Sequence, residues 1–112
     1  MSSTRQNKVA KLVQKDLADI IQRERNVLAR GILITVTEVK MSPDLSVAKV
    51  YLSMFPSADR EIHLKNIDEK KRDIRGKLGN KLKNQLRIIP ELIFYIDDTP
   101  DRVQRIDELL RK

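Results

Sequence analysis

The sequence predicts a single domain of the α+β class, which combines amphipathic helices with a small sheet. Several segments repeat apolar residues every three or four positions, as helices with one buried face do. Two segments after residue 31 are rich in β-branched residues and alternate between two faces, as strands do. The chain has 112 residues, enough for one two-layer core and little more. We therefore take residues 1–112 as one domain.

The first predicted element is a helix near the N-terminus. Its apolar positions form one face, made of Val9, Leu12, Val13, Leu17, Ile20 and Ile21. A separate basic stripe on the same helix consists of Lys8, Lys11 and Lys15. Gly31 follows the periodic segment, and glycine often follows the last helical residue. The helix is therefore expected to end near Gly31.

Two strands follow and are expected to pair as an antiparallel hairpin. In residues 32–41, alternation places Ile34 and Val36 on one face and Val39 on the other. The tripeptide Ser42-Pro43-Asp44 supplies turn chemistry. In residues 47–55 one face carries Ala48, Val50, Leu52 and Met54, and the opposite face carries Val47, Lys49, Tyr51 and Phe55. So short a connection between two strands predicts antiparallel pairing.

The second half of the chain predicts a long interrupted helix, a third strand and a last helix. Ser57 or Asp59 can cap the long helix, whose buried stripe is Ile67, Ile74, Leu78, Leu82 and Leu86. Gly76 and Gly79 each cost a helix about 1 kcal/mol relative to alanine, which predicts a kink near them. A strand at residues 92–96 follows Pro90. Thr99 and Pro100 then begin a helix with the apolar stripe Val103, Ile106, Leu109 and Leu110.

The charge of the chain predicts a polyanionic partner. There are 23 Lys and Arg residues against 16 Asp and Glu, a formal net charge of +7. Residues 65–87 contain nine of the cations and only three of the acids. A large field of one sign is usually kept for a charged partner, although long cations also line ordinary solvated helices. We therefore expect this segment to bind RNA or DNA.

The segment Gly76-Lys77-Leu78-Gly79 allows two interpretations. A G-x-x-G loop between two helices lets the backbone approach nucleotide phosphates in KH domains. Alternatively, the two glycines lie inside a kinked helix and merely permit close packing. The pattern alone does not decide between them.

Composition argues against other functional classes. The chain has no cysteine and one histidine, His63, so it offers no disulfide, no Cys-type zinc site and no histidine-based triad. Asp97, Asp98 and Asp101 fit a strand end and helix cap better than a cation site. We expect no catalytic residue, metal, cofactor or small-molecule substrate. We also expect no base-stacking platform, because Phe94 or Tyr95 is more often buried.

Four segments together resemble the ribosome-binding factor A family, and the resemblance spans residues 8–110. The most specific is ITVTEVKMSPDLSVAKVY at 34–51; the others are VAKLVQKDLADIIQRE at 9–24, RIIPEL at 87–92 and RIDELL at 105–110. The resemblance implies a type II KH-like fold of order α-β-β-α-(kink)-α-β-α, with helices on one face of a three-stranded sheet. It also implies binding to the small (30S) ribosomal subunit and its rRNA during late maturation and rRNA processing, and a role in cold adaptation.

The family usually carries Ala-x-Gly at the kink between its middle helices, and this sequence does not. The expected kink therefore falls at Gly76 or Gly79. The positions expected to contact RNA are Lys8, Lys11, Lys15, Lys70, Lys71, Arg72, Arg75, Gly76, Lys77, Gly79, Lys81, Lys83 and Arg87. Phosphate neutralisation would supply affinity and RNA shape the choice of site.

Two other functions fit the same cations. One is a KH-type module that grips single-stranded RNA beside Gly76 and Gly79, outside the ribosome. The other is a basic module for acidic proteins or lipid surfaces. The N-terminus lacks an apolar segment of signal-peptide length, so we expect a cytoplasmic protein that is not bound to membranes. We expect it to be a monomer.

Overall fold

The computed structural model describes residues 3–28 and 30–97. Its elements are α1 (Thr4–Leu28), β1 (Leu33–Met41), β2 (Val47–Phe55), α2 (Arg60–Glu69), α3 (Lys71–Leu82) and β3 (Glu91–Ile96). This order confirms the predicted one as far as β3. The helix expected from Thr99 onward lies outside the described residues. In the described part of the chain, no helix is both long and apolar enough to cross a membrane.

The three strands form one sheet in the order β1-β2-β3. β1 and β2 pair antiparallel, as predicted, and β3 adds to β2 as a parallel strand. Buried strand residues all share one face: Ile34, Val36, Val39, Met41, Ala48, Val50, Leu52, Met54, Leu92 and Phe94. The helices pack on that face, where α1 contacts β1 and α3, and α2 contacts β3.

Reciprocal hydrogen bonds fix the start of α1. The Gln6 backbone N–H donates to Ser3 Oγ at 3.1 Å, and the Ser3 N–H donates to Gln6 Oε1 at 2.9 Å, which is a capping box. The predicted apolar stripe of α1 is buried, apart from the half-buried Leu12. Gly31 has φ of +79° just beyond the helix, the left-handed conformation that glycine adopts without steric cost. The predicted end of the helix is therefore confirmed.

A β-bulge in β1 corrects the predicted face of Val39. Val36 pairs with Leu52 and Glu38 pairs with Tyr51, so Thr37 is an extra residue in β1. Strict alternation would have turned Glu38 toward the core. The bulge instead turns Val39 and Met41 inward, where they are 6% and 7% exposed. Burial of apolar side chains thus decided the register.

The turn between β1 and β2 is organised by Asp44. Its Oδ1 accepts hydrogen bonds from Ser42 Oγ at 2.7 Å, from Ser46 Oγ at 2.7 Å and from the Ser46 N–H at 3.1 Å. These bonds, that from Ser42 foremost, lower the pKa of Asp44 to about 2. The following residue, Leu45, has φ of 64°. The turn chemistry predicted at residues 42–44 is confirmed.

The start of α2 partly fits the capping prediction. Asp59 occupies the N-cap position with φ of 59°, but its side chain makes no capping hydrogen bond. The Arg60 N–H donates instead to the Ser57 carbonyl at 3.3 Å. The helix therefore starts where it was predicted to start, but a backbone carbonyl takes the place of the predicted capping side chain.

The break in the long helix lies at Lys70, so the predicted kink at Gly76 or Gly79 is wrong. Lys70 has φ of −97° and ψ of 6° between α2 and α3, whereas both glycines lie inside α3. Ile67 and Ile74 are both buried, so the apolar stripe continues across the break. The break lets α2 pack on β3 while α3 packs on α1. Tertiary packing, not glycine, sets its position.

Candidate nucleic-acid interface

The cations of α3 surround a buried apolar stripe. Ile74, Leu78 and Leu82 are at most 1% exposed, which turns the rest of the helix toward α1 and solvent. On α1, the lysines at positions 8, 11 and 15 are all exposed. Lys11, Lys15 and Asp19 are four residues apart and so lie along one side of α1. Because Asp19 contacts α3, the basic stripe of α1 leads to the contact between the two helices.

Acidic residues of α1 pair with two of the predicted RNA-binding lysines. The Lys77 ammonium donates a hydrogen bond to Glu24 and also lies 3.3 Å from Asp73. The Lys81 ammonium donates to Asp19 Oδ2 at 2.6 Å. Arg23 Nε lies 3.3 Å from the same Asp19 oxygen. We call this cluster of Asp19, Arg23, Glu24, Asp73, Lys77 and Lys81 the α1–α3 seam.

The protonation equilibria of the seam favour its charged forms. The hydrogen bond from Lys81 lowers the pKa of Asp19 below its ordinary value. The hydrogen bond to Glu24 raises the pKa of Lys77. The charged forms of Asp19 and Lys77 are therefore favoured near neutral pH. Lys77 and Lys81 consequently add less to an outward positive field than their charges alone suggest.

Arg75 orders the connection between α3 and β3. Its Nε donates to the Pro90 carbonyl at 3.1 Å, and its Nη2 donates to the Ile89 carbonyl at 2.7 Å. Two of the five guanidinium N–H donors are thus committed to backbone carbonyls. Arg75 therefore holds this connection in place, and its contact with RNA stays a prediction.

Most of the remaining predicted cations have no acidic partner. Lys71 is the exception, since its Nζ lies 3.6 Å from Asp68. Within residues 3–28 and 30–97, the predicted RNA-binding cations that form neither an ion pair nor a hydrogen bond to a backbone carbonyl are Lys8, Lys11, Lys15, Lys70, Arg72, Lys83 and Arg87. All seven side chains are exposed. They are the groups best placed to meet phosphates.

An open groove of about 780 Å³ lies beside the break between α2 and α3. Its lining residues are Glu69, Lys70, Arg72, Asp73, Gly76, Lys77 and Asn80. A Cβ at Gly76 would meet no atom within 4 Å, so this glycine leaves open space beside the groove. A backbone without a side chain permits close approach of a ligand.

The helical interpretation of the G-x-x-G segment is the correct one. Gly76 and Gly79 belong to α3, and Leu78 between them is fully buried. A Cβ on Gly79 would lie 3.4 Å from Ile89 Cγ1, so this glycine allows α3 to approach the α3–β3 connection closely. The segment is therefore not a phosphate-clamping loop between two helices.

The sheet face opposite the helices carries an aromatic pair that the sequence did not predict. Tyr51 on β2 and Tyr95 on β3 stack with ring centroids 5.3 Å apart and an interplanar angle of 22°. Phe94, by contrast, is buried. The two tyrosines are far apart in sequence and meet through the parallel register of β2 and β3. No local signal predicts that register.

Metal-ligating groups do not cluster in the described part of the chain. Among residues 3–28 and 30–97, no three His, Asp or Glu side chains are placed to share an ion. The Asp97 carboxylate accepts a hydrogen bond from Thr37 Oγ1 at 2.5 Å. Asp98 and Asp101, considered with Asp97 as possible cation ligands, lie outside the described residues.

Comparison with known proteins agrees with this architecture. The family model described as ribosome-binding factor A matches residues 5–110. Ribosome-binding factor A of Cytophaga hutchinsonii is 46% identical over 112 residues, covering 100% of this chain and 84% of that protein. The crystal structure of ribosome-binding factor A from Thermus thermophilus superposes with a TM-score of 0.68 and 26% identity, covering 81% of this chain and 94% of that one.

A further match is a homology model of the Thermus thermophilus factor, fitted into a cryo-EM map of a 30S complex with that factor. It is 28% identical with a TM-score of 0.56, and the match covers 77% of this chain and 88% of that one. These likenesses confirm the KH-like α+β fold. The family match extends over nearly the whole chain, and the chain therefore belongs to the ribosome-binding factor A family.

Proposed function

We propose that this protein binds the small (30S) ribosomal subunit and its rRNA during late maturation. The observation that carries the proposal is the set of seven exposed cations on α1, at the α2–α3 break and after α3 that form neither an ion pair nor a hydrogen bond to a backbone carbonyl. A relative was fitted into the map of a 30S complex, which supports the choice of subunit. In this proposal the protein acts in the cytoplasm, as a monomer, without catalysing a reaction.

Binding would follow from phosphate neutralisation on a rigid helical frame. Lys70 and Arg72 lie at the groove beside Gly76, and Lys83 and Arg87 follow the C-terminal end of α3. Each cation that meets a phosphate releases a condensed counterion and makes the affinity depend on salt. The apolar stripe of α3 holds these groups in a fixed arrangement. Recognition would thus rest on the shape of folded rRNA, as is common for double-stranded RNA.

We further propose roles in rRNA processing and in growth in the cold. Binding to an immature particle can hold an rRNA conformation that a processing enzyme recognises. Wrong RNA helices persist longer at low temperature, so a factor that stabilises the right one matters more in the cold. A deletion strain complemented with the variants below would show both defects, as precursor rRNA and as slow growth at low temperature, if this proposal holds.

The test of subunit binding is co-sedimentation with purified 30S subunits, large subunits and assembled ribosomes at two salt concentrations. The variant carries Lys70→Glu and Arg72→Glu. We expect the wild type to bind 30S subunits preferentially and the variant to bind them at least tenfold more weakly, because two phosphate contacts become repulsive. We also expect its salt slope to be smaller by about two.

A matched control carries Arg5→Glu and Arg30→Glu, which changes the net charge by the same amount at exposed cations outside the predicted site. This control should bind 30S subunits like the wild type. Equal loss in both variants would mean that net charge alone drives binding. Equal binding of the wild type to every particle, or to none, would refute the proposal, and equal binding to anionic vesicles would favour a lipid-surface module.

A further inference from the structure

The second surface of interest is the sheet face that the described helices leave uncovered. Across this face, Lys40 of β1, Tyr51 of β2 and Tyr95 of β3 form a row. The Lys40 ammonium lies 5.6 Å from the Tyr51 ring centroid, and Tyr51 stacks on Tyr95. One face of each tyrosine ring is therefore turned toward the other ring. Tyr95 belongs to β3, which is an edge strand of the described sheet.

Tyr95 is the member of the row with a ring available for a ligand. It is 38% exposed, although the adjacent Phe94 is buried in the core. Aromatic rings on a sheet surface are a general means of holding unpaired bases, because every base has a flat face that stacks. Stacking of this kind does not need a cleft.

Two lysines beside the tyrosine pair add a local site for phosphate. Lys40 and Lys49 are directly opposed across β1 and β2, and both are exposed. Like charges in such a position repel and destabilise the strand pair. In the described part of the chain, no acid forms an ion pair with either lysine. An anion between them would relieve the repulsion.

We propose that Tyr51 and Tyr95 form a stacking site for an unpaired nucleobase of single-stranded RNA, with neighbouring phosphates at Lys40 and Lys49. The site is separate from the helical cations. It depends on the proposed function only in taking RNA as the partner. Binding at the two surfaces would let the protein hold folded and unpaired RNA at the same time.

The charges on this face predict a salt dependence unlike that of the helical face. Glu38 and Glu91 share the face with the two lysines through their pairing with Tyr51 and Val47. Lys40 and Lys49 are the two cations of this site, and the two acids offer nothing to a phosphate. About two phosphates can therefore be neutralised. Since a single strand contributes a slope of about −0.7 per phosphate, the logarithm of the affinity should fall with the logarithm of salt with a slope of about −1.4. Stacking supplies the rest of the affinity.

Intrinsic fluorescence provides a reporter confined to this site. The chain has two tyrosines, which are the two members of the pair, and no tryptophan. Titration of the full-length protein with hexaadenylate or hexauridylate RNA should quench tyrosine emission with saturation. Hexaadenylate should bind more tightly because a purine stacks over a larger area. Anisotropy of a fluorescein-labelled hexanucleotide gives the affinity of every variant, including those whose tyrosine emission is altered by the substitution.

The decisive comparison is between Tyr95→Leu and Tyr95→Phe. The leucine variant keeps an apolar side chain and loses the ring, and should bind the hexanucleotide about fivefold to a hundredfold more weakly. The phenylalanine variant keeps the ring and should bind like the wild type. Circular dichroism and urea unfolding of both variants establish that each remains folded.

Several results would overturn this inference. If Tyr95→Leu and the wild type bind the hexanucleotide with equal affinity, the tyrosine pair stabilises the sheet and does not bind RNA. Absence of saturable quenching would do the same. The Lys70→Glu and Arg72→Glu variant should retain hexanucleotide binding while losing 30S subunits. Failure of the wild type to bind 30S subunits would count against the proposed function, whereas hexanucleotide quenching would still decide the stacking site.

Discussion

Two groups of cations on the same helical region differ in what surrounds them. Lys77 and Lys81 lie in the α1–α3 seam, where Glu24 and Asp19 accept their hydrogen bonds. Lys70 and Arg72 lie beside the groove without acidic partners. The groups are adjacent in sequence and identical in charge. The difference shows that a count of basic residues overstates the field available to a polyanion, because some of the cations join helices together.

The largest expected effect is on the frame that both groups share. Leu78 is fully buried in α3, and Leu78→Ala should lower the free energy of unfolding by about 2–5 kcal/mol through lost burial and a residual cavity. Urea denaturation followed by circular dichroism measures it. Ile88→Ala is the control, since Ile88 is 65% exposed and its truncation should change stability by at most about 0.5 kcal/mol. Equal effects would mean that α3 does not pack as described.

A smaller effect would come from removing the acids of the seam. Asp19→Asn with Glu24→Gln and Asp73→Asn releases Lys81 and Lys77. This variant should tighten 30S binding by about threefold to tenfold, with a steeper salt slope, because two more cations can meet phosphates. Sedimentation at several salt concentrations measures both quantities. Asp16→Asn with Glu61→Gln and Glu91→Gln makes the same net charge change away from these lysines and should have less effect. If both variants gain equally, the pairing of Lys77 and Lys81 does not limit binding.

The smallest expected effect is on stability at low pH. It concerns Asp44, a carboxylate in the β1–β2 turn that lies outside the seam. Its pKa is lowered from the ordinary value of 3.8 to about 2 in the folded chain, so the unfolded chain binds more protons between these values. The stabilisation by Asp44 is therefore complete above about pH 4 and is lost as the pH falls through about 2. Urea midpoints between pH 5 and pH 2 should fall less steeply for Asp44→Asn than for the wild type. Parallel curves would show that the turn does not hold the ionised carboxylate.

The pKa of Asp19 is lowered as well, chiefly by the hydrogen bond from Lys81, so its pairing also weakens only below the ordinary range of a carboxyl group. Near neutral pH the pairing of Asp19 with Lys81 is thus retained. Urea midpoints of Asp19→Asn over the same pH range separate the contribution of Asp19 from that of Asp44. The difference between paired and unpaired cations should persist over the physiological pH range.

Sequence periodicity predicted the elements and their buried faces because these depend on local spacing. The stripe from Val9 to Ile21 and the face of β2 that carries Ala48, Val50, Leu52 and Met54 follow directly from helical and strand repeats. The three-stranded sheet with helices on one face was predicted by a different route, the resemblance of four segments to a family. These predictions needed no knowledge of which elements touch.

The errors concern features that depend on contact between elements. The bulge at Thr37 arises because Val39 and Met41 must face α1 and the core. The break at Lys70 has no glycine or proline to mark it and arises because α2 and α3 pack on different partners. The pairing of Lys81 with Asp19 depends on the alignment of α1 with α3. The spacing of residues within one segment does not determine how that segment aligns with another.

The position of β2 in the middle of the sheet has a consequence for how the chain folds. β1 and β2 are joined by residues 42–46, whereas β2 and β3 are joined by residues 56–90, which include both α2 and α3. Closing the longer connection costs roughly 1–2 kcal/mol more in chain entropy, and such non-local pairing slows folding. The β1–β2 hairpin can therefore form early, whereas β3 can pair with β2 only after the connection that contains α2 and α3 has closed. Tyr51 and Tyr95 come together only in that last step, so their stacking marks the completion of the sheet.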